Sequence, residues 1–509
     1  MPYSFDIFAG WVSCSNTTDP APLNPLPCMG VNMIAEQPRS NYSCLSPGSY
    51  LIGSIFSMFA VFGLFALSAQ AQQEFASVQL GDRNVENLYI TATNDGTIGM
   101  IYYKKREIHG FVISATGEVL AKGQLPFRYN LELIGEGFDE KGFQFFFKPR
   151  SSSKEGDIGI IELSREGQFS KPVYVNLDRR RDLHTIGQIS SGGRFFVITA
   201  EAKKNELIFT QVRPQGITRK VFRYKPPFSP DVFLDLPILY VDPNTNKSIA
   251  DYQLPVKLYY RYGNFYFTMD QPGRFRTHIW IIDWEQGRVR QLQVPSKSLV
   301  TGNSSNSFLV DQVIFRLTLG KNLIDLSLYD IFTGELIDKY HYINQQTIDI
   351  NRGVVYQEDE LSGSFKSYDF MSKEQLYKQF SNGTASLFAE KINDHLLRLT
   401  VGVYNSTSSG LSIGGGFGSF GGSGGISIGG SKQLTGVRQG STFFDTIFTY
   451  PELYLANEIE GIGVSDKINN FLGSLSPPPT AIREFSSAQS KYLAYIVRST
   501  SQLKIIHFE

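Results

Sequence analysis

From residue 72 onward the chain alternates short apolar runs with polar turns, and one arrangement of them recurs. An apolar run enters a turn that carries a glycine, and a second β-rich run leaves it. The arrangement stands at 111–120 (FVISATGEVL), 160–169 (IIELSREGQF), 207–217 (LIFTQVRPQGI), 279–289 (IWIIDWEQGRV) and 326–337 (LSLYDIFTGELI). A sixth copy at 368–376 (YDFMSKEQL) has lost the glycine. The turn glycines Gly117, Gly167, Gly216, Gly287 and Gly334 follow one another at 50, 49, 71 and 47 residues, and Glu374 of the degenerate copy lies 40 further on. Glycine reaches the positive φ of a tight hairpin turn without the clash that a Cβ would make. Upstream of each turn lies another apolar run, at 98–103, 143–147, 195–199, 265–268, 313–317 and 354–356. None of these segments shows the i, i+3, i+4 spacing of an amphipathic helix.

Each unit thus supplies a strand, a hairpin, a strand, a glycine turn and a strand. One strand leading in makes four antiparallel strands in about 40–50 residues, the period of propeller blades. The expected fold is all-β, a β-propeller of seven or eight four-stranded blades. Its closure is expected from pairing of the N- and C-terminal strands, with 75–80 (FASVQL) completing the blade that ends in 491–498 and 502–507. The 71-residue interval is assigned to an inserted loop or small hairpin excursion between blades at 226–255, which holds six prolines. A second inserted loop is expected at 405–440, where 11 of the 21 residues from Gly410 to Gly430 are glycine. Such composition buries too little apolar surface to form a core element. Between these loops and the end, 395–404 and 441–450 read as hairpin partners. Residues 465–473 read as a short helix with Ser465 as N-cap and Gly473 as its stop.

The run YDIFTGEL at 329–336 resembles blade motifs of the broad β-propeller superfamily. The region after Ala71 as a whole resembles exported bacterial propeller-like proteins of unassigned activity. That resemblance implies architecture and carries no site residue with it.

Composition changes the picture at three points. The 39 Phe and 26 Tyr favour strands and supply ample core. Lys+Arg and Asp+Glu both number 48, so the bulk charge lacks the basic excess of a nucleic-acid binder. Cys14, Cys28 and Cys44 are the three cysteines, so nothing after residue 72 can form a disulfide or a zinc–thiolate site.

Residues 51–67 (LIGSIFSMFAVFGLFAL) are uncharged and lead to Ala69-Gln70-Ala71, the small-x-small pattern of a signal-peptidase site. Residues 51–71 are therefore expected to be a secretory signal cleaved after Ala71. The alternative is an uncleaved membrane anchor at 51–67. Residues 1–50 are expected to be a disordered extension, or a start placed too far upstream. Residues 72–509 form the expected propeller, exported to the periplasm, the outer surface or the medium. Membrane contact is expected only through the signal or anchor segment.

No constellation of reactive residues emerges. His109, His184, His278, His341, His395 and His507 show no metal-ligand spacing, and there is no P-loop or G-x-S-x-G elbow. Asp242-Pro-Asn-Thr-Asn begins like a calcium loop, yet Lys247 stands at the required glycine and Gln253 at the required glutamate. An Asx-rich turn is the simpler reading. Asp178-Arg-Arg-Arg-Asp182 beside His184 suits an anion or a solvated loop. Tyr259-Tyr260-Arg261-Tyr262 suits sugar stacking or core packing. No catalytic, metal or cofactor residue is assigned. The expected function is an exported, non-catalytic binding or interaction module for a protein or glycan. The alternative is a hydrolytic or carbohydrate-active enzyme that gathers carboxylates from several blades in a central channel.

Overall fold

The computed structural model describes residues 72–81, 85–104, 106–127, 132–149, 157–177, 182–223, 236–242, 249–271, 276–295, 304–343, 355–359, 364–368, 373–407, 438–456, 464–487 and 490–508. All belong to the unit Ser68–Glu509. The expectations for residues 1–71, for 243–248, for Asp178–Arg181 and for the glycine-rich loop over 408–437 fall outside the described residues.

The described chain is all-β, with seven sheets of four or five strands and two α-helices. Sheet I holds Glu86–Ala92, Ile98–Lys104, Glu107–Ile113 and Val119–Pro126. Sheet II holds Glu132–Asp139, Gly142–Lys148, Ile158–Ser164 and Val173–Val175. Sheet III holds Leu183–Ser191, Arg194–Glu201, Glu206–Arg213 and Gly216–Arg223. Sheet IV holds Ile238–Tyr240, Val256–Arg261, Asn264–Gln271, Arg276–Asp283 and Arg288–Pro295. Sheet V holds Ser304–Val310, Val313–Gly320, Leu323–Asp330 and Leu336–Ile343. Each of these strands pairs antiparallel with the next, except that Ile238–Tyr240 lies parallel to its neighbour.

Sheet VI is rearranged, in the order Ser364–Tyr368, Val355–Asp359, Arg438–Thr449, Leu396–Thr407, Thr384–Lys391. Sheet VII holds Thr480–Ser487, Ser490–Val497 and Gln502–Phe508, and Gln72–Gln79 completes it with Gln72 opposite Phe508. Pairing of the first and last described strands is as the sequence led us to expect.

The repeated turn glycines Gly117, Gly167, Gly216, Gly287 and Gly334 all have positive φ, between 68° and 133°. At Gly117 a Cβ would also come within 1.9 Å of the Phe75 carbonyl oxygen, so that turn fits against Gln72–Gln79 only as glycine. The hairpin expected from 395–404 and 441–450 is present, with Leu399 opposite Thr446. Two readings need correction. The degenerate sixth copy is not a hairpin: after Ser364–Tyr368, helix α1 (Lys373–Asn382) forms and buries Leu376, Tyr377 and Phe380. Without the glycine the turn is lost, and apolar residues at i, i+1 and i+4 give one helical face. The segment read as an inserted loop at 226–255 also contributes core, through the strand Ile238–Tyr240 and through Tyr252, 1% exposed. Helix α2 (Val464–Ser474) extends one residue past each expected end.

Neighbouring sheets share buried apolar clusters. Sheets VII and I share Val78, Leu503, Ile98 and Met100. Sheets I and II share Ile101, Ile108, Phe143 and Phe145. Phe146, Phe195 and Val197 join II to III, and Phe209, Phe265 and Trp280 join III to IV. One large cluster runs through IV, V and VI. Burying a phenylalanine or leucine side chain in such a seam contributes about 1.5–3 kcal/mol. The first strands of sheets VII, I, II, III and IV touch in that order, so residues on them meet although far apart in sequence.

Candidate functional site

Those first strands bring six polar side chains together. Tyr89 comes from sheet I, Glu136 from II, Ser190 from III, Tyr240 from IV with Asp242 just beyond it, and Arg483 from VII. All are half-buried. Local glycines place Glu136. It stands between Gly135 and Gly137, whose Cβ atoms would lie 2.3 Å from the Phe195 ring and 2.7 Å from the Gly193 carbonyl oxygen. Glycine in a strand marks such close approach of a neighbour. Sheet III thereby closes on one face of the strand, and the Glu136 side chain takes the other.

The contacts tie the strands to one another. The Glu136 main-chain N–H donates to Ser190 Oγ at 2.8 Å. The Tyr240 hydroxyl donates to the Ser190 carbonyl oxygen at 3.2 Å. Arg483 Nε donates to the Leu88 carbonyl oxygen at 3.0 Å, and its guanidinium lies 5.4 Å from the Tyr89 ring centroid. Burial, reinforced by the Asp242 carboxylate and opposed by Arg483, pushes the Glu136 carboxyl up to about 7. Burial, then Asp242, raises the Tyr240 hydroxyl well above its usual range. Burial likewise raises Tyr89, against the pull of Arg483. One carboxyl near its midpoint at neutral pH, a second carboxylate close by, one guanidinium and two phenols make a set that can exchange hydrogen bonds and a proton with a polar ligand.

A second polar cluster lies between sheets IV and V. Asp270, 2% exposed, accepts from Thr277 Oγ1 at 2.6 Å, from the Ser307 main-chain N–H at 2.7 Å and from Ser307 Oγ at 2.9 Å. Lys257, 0% exposed, donates to the Leu254 carbonyl oxygen and to Asn306 Oδ1, each at 2.9 Å. Burial lowers its ammonium to about 8, while Asp270 works in the opposite direction. Arg316 is buried beside them, and desolvation lowers its guanidinium against the attraction of Asp270. Asp325 accepts from Ser327 Oγ at 2.7 Å and faces Lys339 Nζ at 3.1 Å and His341 Nδ1 at 2.9 Å. Asp270, Lys257 and Arg316, nearly closed to solvent, brace the two sheets from within.

The motifs singled out in the sequence do not converge. Tyr259 and Tyr260 are buried and Tyr262 is 83% exposed at a turn, so two of the three tyrosines are core. His184 and Asp182 lie at the start of sheet III, the arginines before them being outside the described residues. Among the described residues no three His, Cys, Asp or Glu side chains gather to hold a metal. No described helix is long and apolar enough to cross a membrane. A cleft of about 540 Å³ opens between the strand Gln72–Gln79 and sheet I at Gln79, Tyr102, His109 and Lys122. Its wall rings Tyr102 and Phe111 are 2% and 6% exposed, which leaves no free stacking face. Sequence reasoning missed Glu136. Its one local signal is the triplet Gly135-Glu136-Gly137, an acid between two glycines inside a strand.

No known family model matches the chain, and no curated protein matches it. Among solved structures, a Synechocystis apocarotenoid oxygenase variant is similar at 8% identity and a TM-score of 0.27, covering 52% of this chain and 63% of its own. A prolyl oligopeptidase B variant from Galerina marginata is similar at 10% identity and a TM-score of 0.27, covering 62% of this chain and 46% of its own. The chain spans less than two thirds of the length of either structure. Likeness at these scores assigns neither activity nor ligand.

Proposed function

We propose that the seven sheets are the blades of a closed, exported β-propeller, and that it is a non-catalytic module binding a glycan at the first-strand cluster. The observation that carries this reading is the convergence of Tyr89, Glu136, Ser190, Tyr240, Asp242 and Arg483 from five successive sheets. Tyrosine rings stack on the C–H faces of sugars, and carboxylates and guanidinium groups take paired hydroxyls. Ligand sites in folds of this kind sit where several elements meet. Calorimetry of the exported domain against a panel of neutral and acidic oligosaccharides tests it. Binding is expected to fall about tenfold or more in Tyr89→Ala and in Arg483→Ala. Binding by neither wild type nor variants, together with capture of a protein ligand, would replace the glycan with a protein surface.

One observation favours a second reading, hydrolysis. Glu136 is pushed up to about 7 beside Asp242, and a carboxyl that keeps a proton toward neutral pH next to a second carboxyl group is the arrangement of glycoside-cleaving pairs. Turnover of an oligosaccharide that is lost in Glu136→Gln, while binding persists, would establish it.

A further inference from the structure

We infer that helix α2 is the clasp between sheets VI and VII, and that the assembly opens between α2 and sheet VI. The inference rests on the ring reading above. Every other pair of successive sheets shares a buried apolar cluster. Among the described residues no such cluster joins VI to VII. Helix α2 lies there instead, and its two sides are unlike.

Toward sheet VII the helix is apolar. Val464, Ile468, Phe471 and Leu472 recur at helical spacing and, with Leu475 just past the helix, cover Leu493, Tyr495, Ile506 and Phe508. Ile468 is fully buried, and the Phe471 ring meets those of Tyr495 and Phe508 at 5.7 and 5.8 Å. Toward sheet VI the link is ionic, from Asp466 to Arg398 Nη1. The Asp466 side chain is 38% exposed, so water and salt reach the pair.

Arg398 is also held without the helix. Its Nη2 meets Glu390 Oε1 at 2.6 Å, and Asp445 Oδ2 lies 3.9 Å from Nη1. Asp445 is fixed in turn by Thr400 Oγ1 at 2.5 Å. When α2 departs, Arg398 keeps two carboxylates and no buried charge is orphaned, the step that makes most buried ion pairs costly to break. The apolar side has no such substitute, so α2 stays with sheet VII. Among the described residues the other seams carry exposed ion pairs too, but each has an apolar core beneath them, so a ring opens where the ion pair stands alone.

Hydrogen exchange by mass spectrometry, with small-angle scattering, tests this on the full exported domain. In Asp466→Asn, and in wild type moved from about 0.05 to about 0.5 M salt, exchange in peptides over Leu396–Thr407 and Thr384–Lys391 is expected to rise at least threefold. Exchange in sheets I to IV should stay unchanged. Exchange in Val464–Ser474 should rise less in Asp466→Asn than in Ile468→Ala, which strips the helix from sheet VII. No change in the sheet VI peptides, or equal change in all seven sheets, would overturn the clasp. So would greater exposure of α2 in Asp466→Asn than in Ile468→Ala. A wild-type scattering profile already extended at low salt would instead overturn the ring itself.

Discussion

Two seams of this molecule are built on opposite principles. Between sheets II and III the buried core of the contact is apolar. Phe146 and Phe195 stack at 4.4 Å, and the Phe195 ring occupies the space that a side chain on Gly135 would need. Between sheets IV and V the apolar part gives way at one end to Lys257, Asp270, Thr277, Asn306, Ser307 and Arg316, all buried. The first seam gains from area removed from water and from close packing. The second must offset the desolvation of three charged groups, and does so in part through three hydrogen bonds to Asp270 and two from Lys257. An apolar seam fails gradually as atoms are removed, whereas a charged seam fails at once when a partner goes.

The largest expected effect follows from that difference. Asp270→Ala leaves Lys257 and Arg316 buried without their shared carboxylate and should lower stability by about 3–5 kcal/mol, read as a fall in the chemical-denaturation midpoint. A loss below about 1 kcal/mol would mean that water already reaches this seam. Next, Phe195→Ala opens a cavity against Gly135 and should lose about 3–4 kcal/mol by the same measurement. Rescue by Gly135→Ala in the double variant would show that the ring and the glycine form one packing unit.

Lys257 sharpens the contrast through pH. Its folded value near 8 lies below its ordinary 10.5, so from pH 8 to 10.5 the unfolded chain binds the extra proton. This group therefore makes stability rise with pH across that window, by up to about 3 kcal/mol. Lys257→Met should abolish the rise, seen by comparing denaturation curves at pH 7.5 and 10. The smallest effect is expected at the surface, where Lys504 Nζ meets Glu74 Oε2 of the strand Gln72–Gln79 at 2.7 Å. Lys504→Ala should change stability by less than about 1 kcal/mol and lose even that in high salt.

The apolar seam was largely legible. The runs at 143–147 and 195–199 are too apolar for strands with a solvated face, and they supply Phe146 and Phe195. The polar seam was not. In 256–261 and 264–271, Lys257, Thr268 and Asp270 alternate with apolar residues, which reads as a wet face. Sheets packed on both faces bury both sets, so alternation cannot say which polar residues lose their water. The first-strand cluster was hidden for another reason. Tyr89 and Arg483 meet across nearly the whole length of the domain, and no local pattern records that meeting.

Taken alone, the chain determined the strands, the glycine at each repeated corner, the pairing of Gln72–Gln79 with Gln502–Phe508 and the absence of thiol chemistry after residue 72. These follow from period and backbone conformation, which are local properties. Only the tertiary structure decided that Lys257 and Asp270 are buried together, that Glu136 faces Asp242 and Arg483, and that helix α2 packs on sheet VII and pairs with Arg398 of sheet VI. Desolvation and charge pairing depend on which surfaces come together, and that is settled when the sheets pack.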